Sequence, residues 1–197
     1  STVREAVGLE RPARGPRRYG LVGHFALRPW SDDVEVHWAE HGEAYVTPVA
    51  PDLVGVALLG GAGGPYAERL CAFPTLASRL GDAEPLGRVL GAGPLRRTAS
   101  ARRKGNVLLV GDAAGYVDAL TGEGLAIGFL SAQAAVASVV TGRLDRYEGE
   151  WARITRRFRW STDLLVSGTQ QDAVRRHLVP AAAKAPGLYR SALRLVT

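Results

Sequence analysis

Asn106-Val107-Leu108-Leu109-Val110-Gly111-Asp112-Ala113-Ala114-Gly115 runs directly into Tyr116-Val117-Asp118-Ala119-Leu120-Thr121-Gly122-Glu123-Gly124-Leu125. The unbroken apolar run at 107–110 predicts a short strand buried on both faces, and Gly111-Asp112 predicts the turn at its carboxyl end. From Gly124 onward the pattern predicts a helix, because Leu125, Phe129, Ala132, Val136, Val139 and Val140 recur at three- and four-residue spacing. Strand, glycine-rich loop and helix therefore follow one another, and ligands of open α/β sheets sit at such strand ends.

Two readings of the loop stand side by side. In one, Asp112 and the glycines only make a tight strand-to-helix turn. In the other, Gly122 and Gly124 let a ligand approach the backbone, while the unpaired N–H groups and positive dipole end of the helix attract phosphate or a polarised carbonyl. Asp112 would then accept hydrogen bonds from sugar or ribityl hydroxyls.

Gly-Asp-Ala-Ala-Gly, six residues, then Gly-Glu-Gly-Leu, at 111–125, resembles the second FAD fingerprint of the flavoprotein oxidoreductases that include geranylgeranyl reductases, flavin-dependent halogenases and aromatic hydroxylases. The resemblance implies that FAD is the cofactor. It also implies that Gly111 and Asp112 lie at the ribityl chain, and that the backbone of Gly122, Glu123, Gly124 and Leu125 faces the pyrophosphate side and the pyrimidine edge of the flavin. Aromatic hydroxylases usually carry His and paired prolines in this loop, where the chain has Gly115 and Asp118-Ala119; Ala126 stands where they often have Asn. The reductase-like and halogenase-like branch is therefore the closer one.

Ser1-Thr2-Val3-Arg4 resembles the second half of that family's middle fingerprint, which places Arg4 near the flavin. The same four residues also read locally as a helix start, with Glu5 in the first turn. No Gly-x-Gly-x-x-Gly phosphate loop follows; Gly61-Ala62-Gly63 and Gly91-Ala92-Gly93 lack the third glycine and the apolar helix after it. The expectation is a carboxyl-terminal portion of a longer flavoprotein, with the missing N-terminal part as its partner in the FAD site.

Composition bounds the alternatives. The 197 residues are 46% hydrophobic, enough for one large or two small domains with a real core. No stretch approaches the roughly 20 apolar residues of a membrane span. The single cysteine, Cys71, reads as a small buried residue, and with no His or Cys cluster of metal-ligand spacing the default is a cytoplasmic setting without a structural metal. The formal charge of +6 comes mostly from scattered arginines without interleaved aromatics, which argues against specific nucleic-acid binding and for a surface that favours anionic dinucleotides.

Residues 11–18 read as a Pro- and Gly-rich linker. Period-two alternation then predicts strands at 19–28, 34–38, 43–49 and 53–59, an antiparallel sheet. Tyr45-Val46-Thr47-Pro48 with Val54-Gly55 resembles the family's Tyr-x-x-Pro…Val-Gly signature, and in that family the sheet roofs the flavin and walls the substrate pocket. The resemblance implies Tyr45, Thr47 and Pro48 as pocket residues; read structurally, Tyr45, Trp30 and Trp38 are half-buried sheet residues. His24, His37 and His41 read as surface histidines. A helix is expected over 65–80, broken before Pro74, a loop from Gly91, and a long amphipathic helix from Leu144 to about Val166 carrying Tyr147, Trp151, Ile154, Phe158, Leu164 and Leu165. Two further helical pieces are expected at 172–179 and 188–196.

The expected class is α+β or α/β: the carboxyl-terminal part of an FAD-binding Rossmann-like domain, an antiparallel substrate sheet and terminal helices. The expected divisions are 1–100, 101–142 and 143–197. The expected function is FAD-dependent oxidoreduction of a hydrophobic small molecule driven by NAD(P)H, with hydroxylation or halogenation as one alternative and a non-catalytic module unable to hold FAD as the other. No residue is marked as catalytic.

Overall fold

The computed structural model describes residues 2–40, 42–61, 64–169 and 174; the helical pieces expected at 172–179 and 188–196, and His41, lie outside the described residues. The chain forms two compact units, Pro16–Leu95 and Ser1–Gly15 with Arg96–Thr197. It opens with α1 (Thr2–Ala6), the local helix start read at Ser1 to Arg4, and β1 (Glu10–Arg11).

The 16–95 unit is a five-stranded antiparallel sheet of β2 (Arg18–Phe25), β3 (Glu35–Ala39), β4 (Gly42–Ala50), β5 (Leu53–Gly61) and β6 (Leu90–Ala92), in the order β3-β4-β5-β2-β6. The helices α2 (Tyr66–Leu70) and α3 (Pro74–Leu80) interrupt where Pro74 demands it. Register follows from alternation, since Ala44 and Val46 of β4 and Val54, Val56 and Leu58 of β5 all turn to one face and pack with Phe25, Tyr66, Phe73, Leu76 and Leu80. Each such large side chain contributes roughly 1.5–3 kcal/mol by leaving water. Tyr66 keeps its hydroxyl satisfied inside this core by donating to the Val56 carbonyl at 3.0 Å. A second device of the sheet is the buried ion pair between Arg18 and Glu43.

Three expectations change here. The loop expected from Gly91 is preceded by and partly consists of edge strand β6, whose Gly91 pairs with Leu21. Glycine and alanine on an exposed edge leave no alternation to read. Cys71 is exposed, not buried, because it stands five residues and about 140° of helix turn beyond buried Tyr66. His24 and His37 are half-buried: His24 lies beside Gly55, and His37 contacts the Glu35 carboxylate at 3.1 Å.

In the other unit, β7 (Arg97–Ala99) lies between β1 and the later β10 (Gly115–Tyr116), while β8 (Arg103–Lys104) and β9 (Val107–Leu108) form a small hairpin. There follow α4 (Gly111–Ala114), then β10, α5 (Gly124–Val140), a 3-10 turn at Leu144–Arg146 and α6 (Tyr147–Thr169). The core holds Leu9, Ala99, Leu109, Ala114, Ala135, Tyr147 and Trp151.

Two readings of the opening stretch are corrected. The strand at 107–110 is not buried on both faces: Val107 and Val110 are exposed, and among the described residues β9 pairs with β8 alone. Only Leu109 of the run is fully enclosed. The helix at 124–140 exists, but its large apolar stripe faces outward, with Leu125 78% and Phe129 74% exposed and Val136, Val139 and Val140 exposed as well. The packed face is made of small residues, Ser131, Ala135 and Ser138, which let α5 approach its neighbours closely.

Candidate functional site

The organising loop is held from behind by a buried arginine. Arg4, 1% exposed, donates from Nη1 to the backbone carbonyls of Asp112 at 2.7 Å and Ala113 at 3.0 Å, and from Nε to the Glu10 carboxylate at 2.6 Å. These bonds occupy carbonyls that a helix as short as α4 leaves unpaired. Gly111 enters α4 with φ +52°, in the region that favours glycine, and its N–H donates to Ser131 Oγ at 2.9 Å. Ser131 in turn donates to the Gly128 carbonyl at 3.0 Å, so the strand end is fastened to the middle of α5.

In front of this frame lies the start of α5. Glu123 occupies the N-cap position without capping through its side chain, and the first intrahelical bond runs from Ile127 N–H to the Glu123 carbonyl at 3.0 Å. The earlier N–H groups of the helix thus have no side-chain cap, which is the arrangement that attracts anionic or polarised ligand atoms. Gly122 has φ +70° and open space where a Cβ would stand, while a Cβ on Gly124 would lie 3.9 Å from Asp112 Oδ1 and 3.8 Å from the Tyr116 ring. Gly111, Asp112, Gly122, Glu123 and Gly124 are therefore brought together, with Arg4 behind them. Leu125, the last of the set, points into open surroundings.

A narrow pocket opens beside the tip, lined by Asp112, Tyr116, Asp118, Glu123 and Gly124 on the loop side and by Trp151, Thr155, Phe158, Arg159 and Thr162 of α6. Burial holds the Asp112 carboxyl above its usual range, with the Arg4 charge opposing, and does the same to Glu123. Burial, reinforced by Asp112 and Asp118, pushes the Tyr116 hydroxyl up to about 12. Both Glu123 carboxylate oxygens are enclosed beside Thr121, and the Trp151 Nε1 is enclosed with no hydrogen-bonding partner among the described residues. Two guanidinium groups lie over the Trp151 ring, Arg102 at 3.8 Å and Arg159 at 5.2 Å from its centroid. The loop is tied to α6 where Thr121 Oγ1 meets Thr162 Oγ1 at 3.1 Å.

No α6 residue is marked as a site residue in the sequence: Trp151 and Phe158 read as part of an apolar stripe, while Thr155, Arg159 and Thr162, which recur with them at helical spacing, are invisible to a reading based on apolar period.

The 16–95 unit carries the remaining residues. Tyr45 and Thr47 share the sheet face opposite the α2–α3 core, with Ala57 and Gly55 as their β5 partners, and both are half-buried. Pro48 falls on the other face, where it lines a small cavity with Trp30, Glu35, Val46 and Val54. Glu35 is held there below the usual carboxylate range, chiefly by the Trp30 indole N–H at 3.1 Å. The structure thus brings Tyr45 and Thr47 together and separates Pro48 from them.

No protein-family model and no curated protein matches the chain. Solved structures do. The Diels-Alderase PyrE3 of pyrroindomycin biosynthesis aligns with a TM-score of 0.75 and 25% identity, over 98% of this chain and 47% of its own. The myxobacterial chondrochloren halogenase CndH, an FAD-dependent halogenase, aligns with a TM-score of 0.71 and 19% identity, over 95% of this chain and 52% of its own. The flavin-dependent halogenase CmlS gives 0.67 and 20% identity, over 87% of this chain and 36% of its own. The chain therefore spans about a third to a half of the length of these neighbours. Over that span the chain has the fold of a portion of these structures, flavin-dependent halogenases among them.

Proposed function

We propose that the loop and helix start at 111–125 form part of an FAD site in a flavin-dependent oxidoreductase acting on a hydrophobic small molecule. The observation that carries this is the tip of α5, which has no side-chain cap, with the Asp112 carboxylate beside Gly124. A polar ligand is the expected occupant of such a tip. The open space at Gly122 suits close approach of a planar or phosphorylated group.

In this reading Asp112 accepts hydrogen bonds from ribityl hydroxyls, and the N–H groups of Gly124 and Leu125 stabilise negative charge at the pyrimidine edge. Arg4 acts one layer back, fixing the Asp112 and Ala113 carbonyls and with them the direction of the carboxylate. FAD supplies the redox chemistry when bound, with NAD(P)H as electron donor, and the protein contributes binding, orientation and electrostatics. The half-buried sheet face with Tyr45 and Thr47 is proposed as substrate-facing, Tyr45 by apolar contact and Thr47 by hydrogen bonding. Hydroxylation or halogenation is the favoured route over double-bond reduction, on the strength of the halogenase neighbours.

Titration of the chain with FAD, followed by flavin fluorescence, tests the reading. Saturable uptake that Asp112→Ala weakens supports it. A chain that takes up no flavin favours the second reading, a binding module that has the fold without holding the cofactor. For a preparation that binds flavin, NADPH oxidation measured with and without oxygen divides an oxygenase, which must consume O₂, from a reductase.

A further inference from the structure

A second concavity, separate from the tip of α5, lies between α5, the 3-10 turn and α6. It measures 710 Å³, within the size range of small-molecule sites. Its floor is apolar, formed by Leu130, Ala134 and Ala137 of α5 with Ile154 and Phe158 of α6. Its rim is cationic: among the described residues Arg143, Arg146, Arg153 and Arg157 line it against one carboxylate, that of Glu150. That carboxylate is engaged by Arg153, whose Nη2 and Nε donate to it at 2.7 and 3.1 Å. Arg143 and Arg146 add two further guanidinium groups to the end of the groove near the 3-10 turn. One or two surface arginines are unremarkable, but four converging on one groove give a strongly one-signed rim.

We propose that this groove binds an amphiphilic anion, a molecule with an aliphatic body and a phosphate or carboxylate head. The body lies along Ala134, Ala137 and Ile154, and the head is held by Arg143 and Arg146 at the end of the groove near the 3-10 turn. Guanidinium groups suit both heads because their planar fork pairs with two oxygens at once. The aliphatic body accounts for the apolar floor, and charge complementarity fixes the sign of the head. The site is independent of the flavin reading, since it shares with the pocket at the tip only the Phe158 side chain.

The test is calorimetric titration of the full chain with decyl phosphate and decanoate below their micellar concentrations, beside inorganic phosphate and decyl maltoside. Saturable 1:1 binding of either anionic amphiphile, at least tenfold tighter than both inorganic phosphate and the neutral maltoside, is expected, and which head binds tighter identifies the source chemistry. Ala137→Trp, which fills the exposed floor, should abolish binding, and Arg143→Ala with Arg146→Ala should weaken it about tenfold. Phe129→Ser, on the outward stripe of α5, should leave it unchanged. Circular dichroism confirms that each variant is folded. Binding no tighter than that of the maltoside or of inorganic phosphate would overturn the proposal. So would binding that survives Ala137→Trp and disappears in Phe129→Ser, which would assign the amphiphile to the stripe.

Discussion

Arg4 Nη1 lies 2.7 Å from the carbonyl oxygen of Asp112, a contact across 108 positions of sequence that sets one end of the chain behind the loop central to its fold. Its guanidinium meets three acceptors, two backbone and one the Glu10 carboxylate. Arg4→Ala should therefore lower stability by about 3 kcal/mol, since it removes charge-assisted bonds from a buried site and leaves their partners exposed to no substitute. Urea denaturation checks this. Arg4→Lys should recover little, because an ammonium cannot span the same three acceptors.

Asp112→Ala should weaken flavin binding roughly ten- to a hundredfold, the range for losing hydrogen bonds to an ionised acceptor. The flavin absorbance retained per protein after desalting measures it. Unaltered FAD content in a folded Asp112→Ala protein would remove Asp112 from the proposed site.

Two glycine substitutions separate ligand approach from backbone need. A methyl group on Gly124 meets only ordinary contacts, at 3.8 and 3.9 Å, so Gly124→Ala should keep or raise stability by up to about 1 kcal/mol while weakening FAD uptake. Gly111 stands at φ +52°, and its methyl would press on Gly128 Cα at 3.4 Å. Gly111→Ala should cost about 1–3 kcal/mol whatever the ligand. Paired denaturation and flavin titrations distinguish the two patterns.

Glu123 gives a pH signature. Its folded-state carboxyl is raised by burial above the ordinary value of 4.5, so the folded protein holds this proton more tightly than the unfolded chain does. The associated stability is complete below the ordinary carboxylate range and is lost as pH rises through the elevated folded value. Glu123→Gln should therefore stabilise the flavin-free protein at neutral pH, by under about 1 kcal/mol given screening at a partly exposed group, and the gain should vanish below pH 4. Thermal midpoints of both proteins at pH 4 and 7 provide the comparison; a gain that is equal at both would refute an ionic cause.

Much of this architecture could be read from residue order, and the failures share a cause. Strands β2 to β5 were legible because Val54, Val56 and Leu58 alternate with smaller or more polar neighbours. The separation of Pro48 from Tyr45 and Thr47 follows from the same period of two, once β4 is taken as one continuous strand. The helix of 124–140 was legible, but its orientation was not, because hydrophobic size marks the wrong side: Ser131, Ala135 and Ser138 are enclosed and Phe129 and Val140 are not. Close helix packing selects small side chains, which carry almost no signal in a hydropathy pattern. The polar pocket residues of α6, Thr155, Arg159 and Thr162, and the Arg4 contact were hidden for a related reason, since both depend on which polar atoms meet across long sequence separations.

The hydroxyl of Ser131 sits where α4 meets α5, receiving the Gly111 amide and donating its own proton to the Gly128 carbonyl. It works like a pin through a hinge plate: α5 cannot slide along its axis without dragging the Gly111 peptide, and with it the Asp112 carboxylate. The span from acid to helix tip is thereby set two turns down the helix, at a position no ligand would touch.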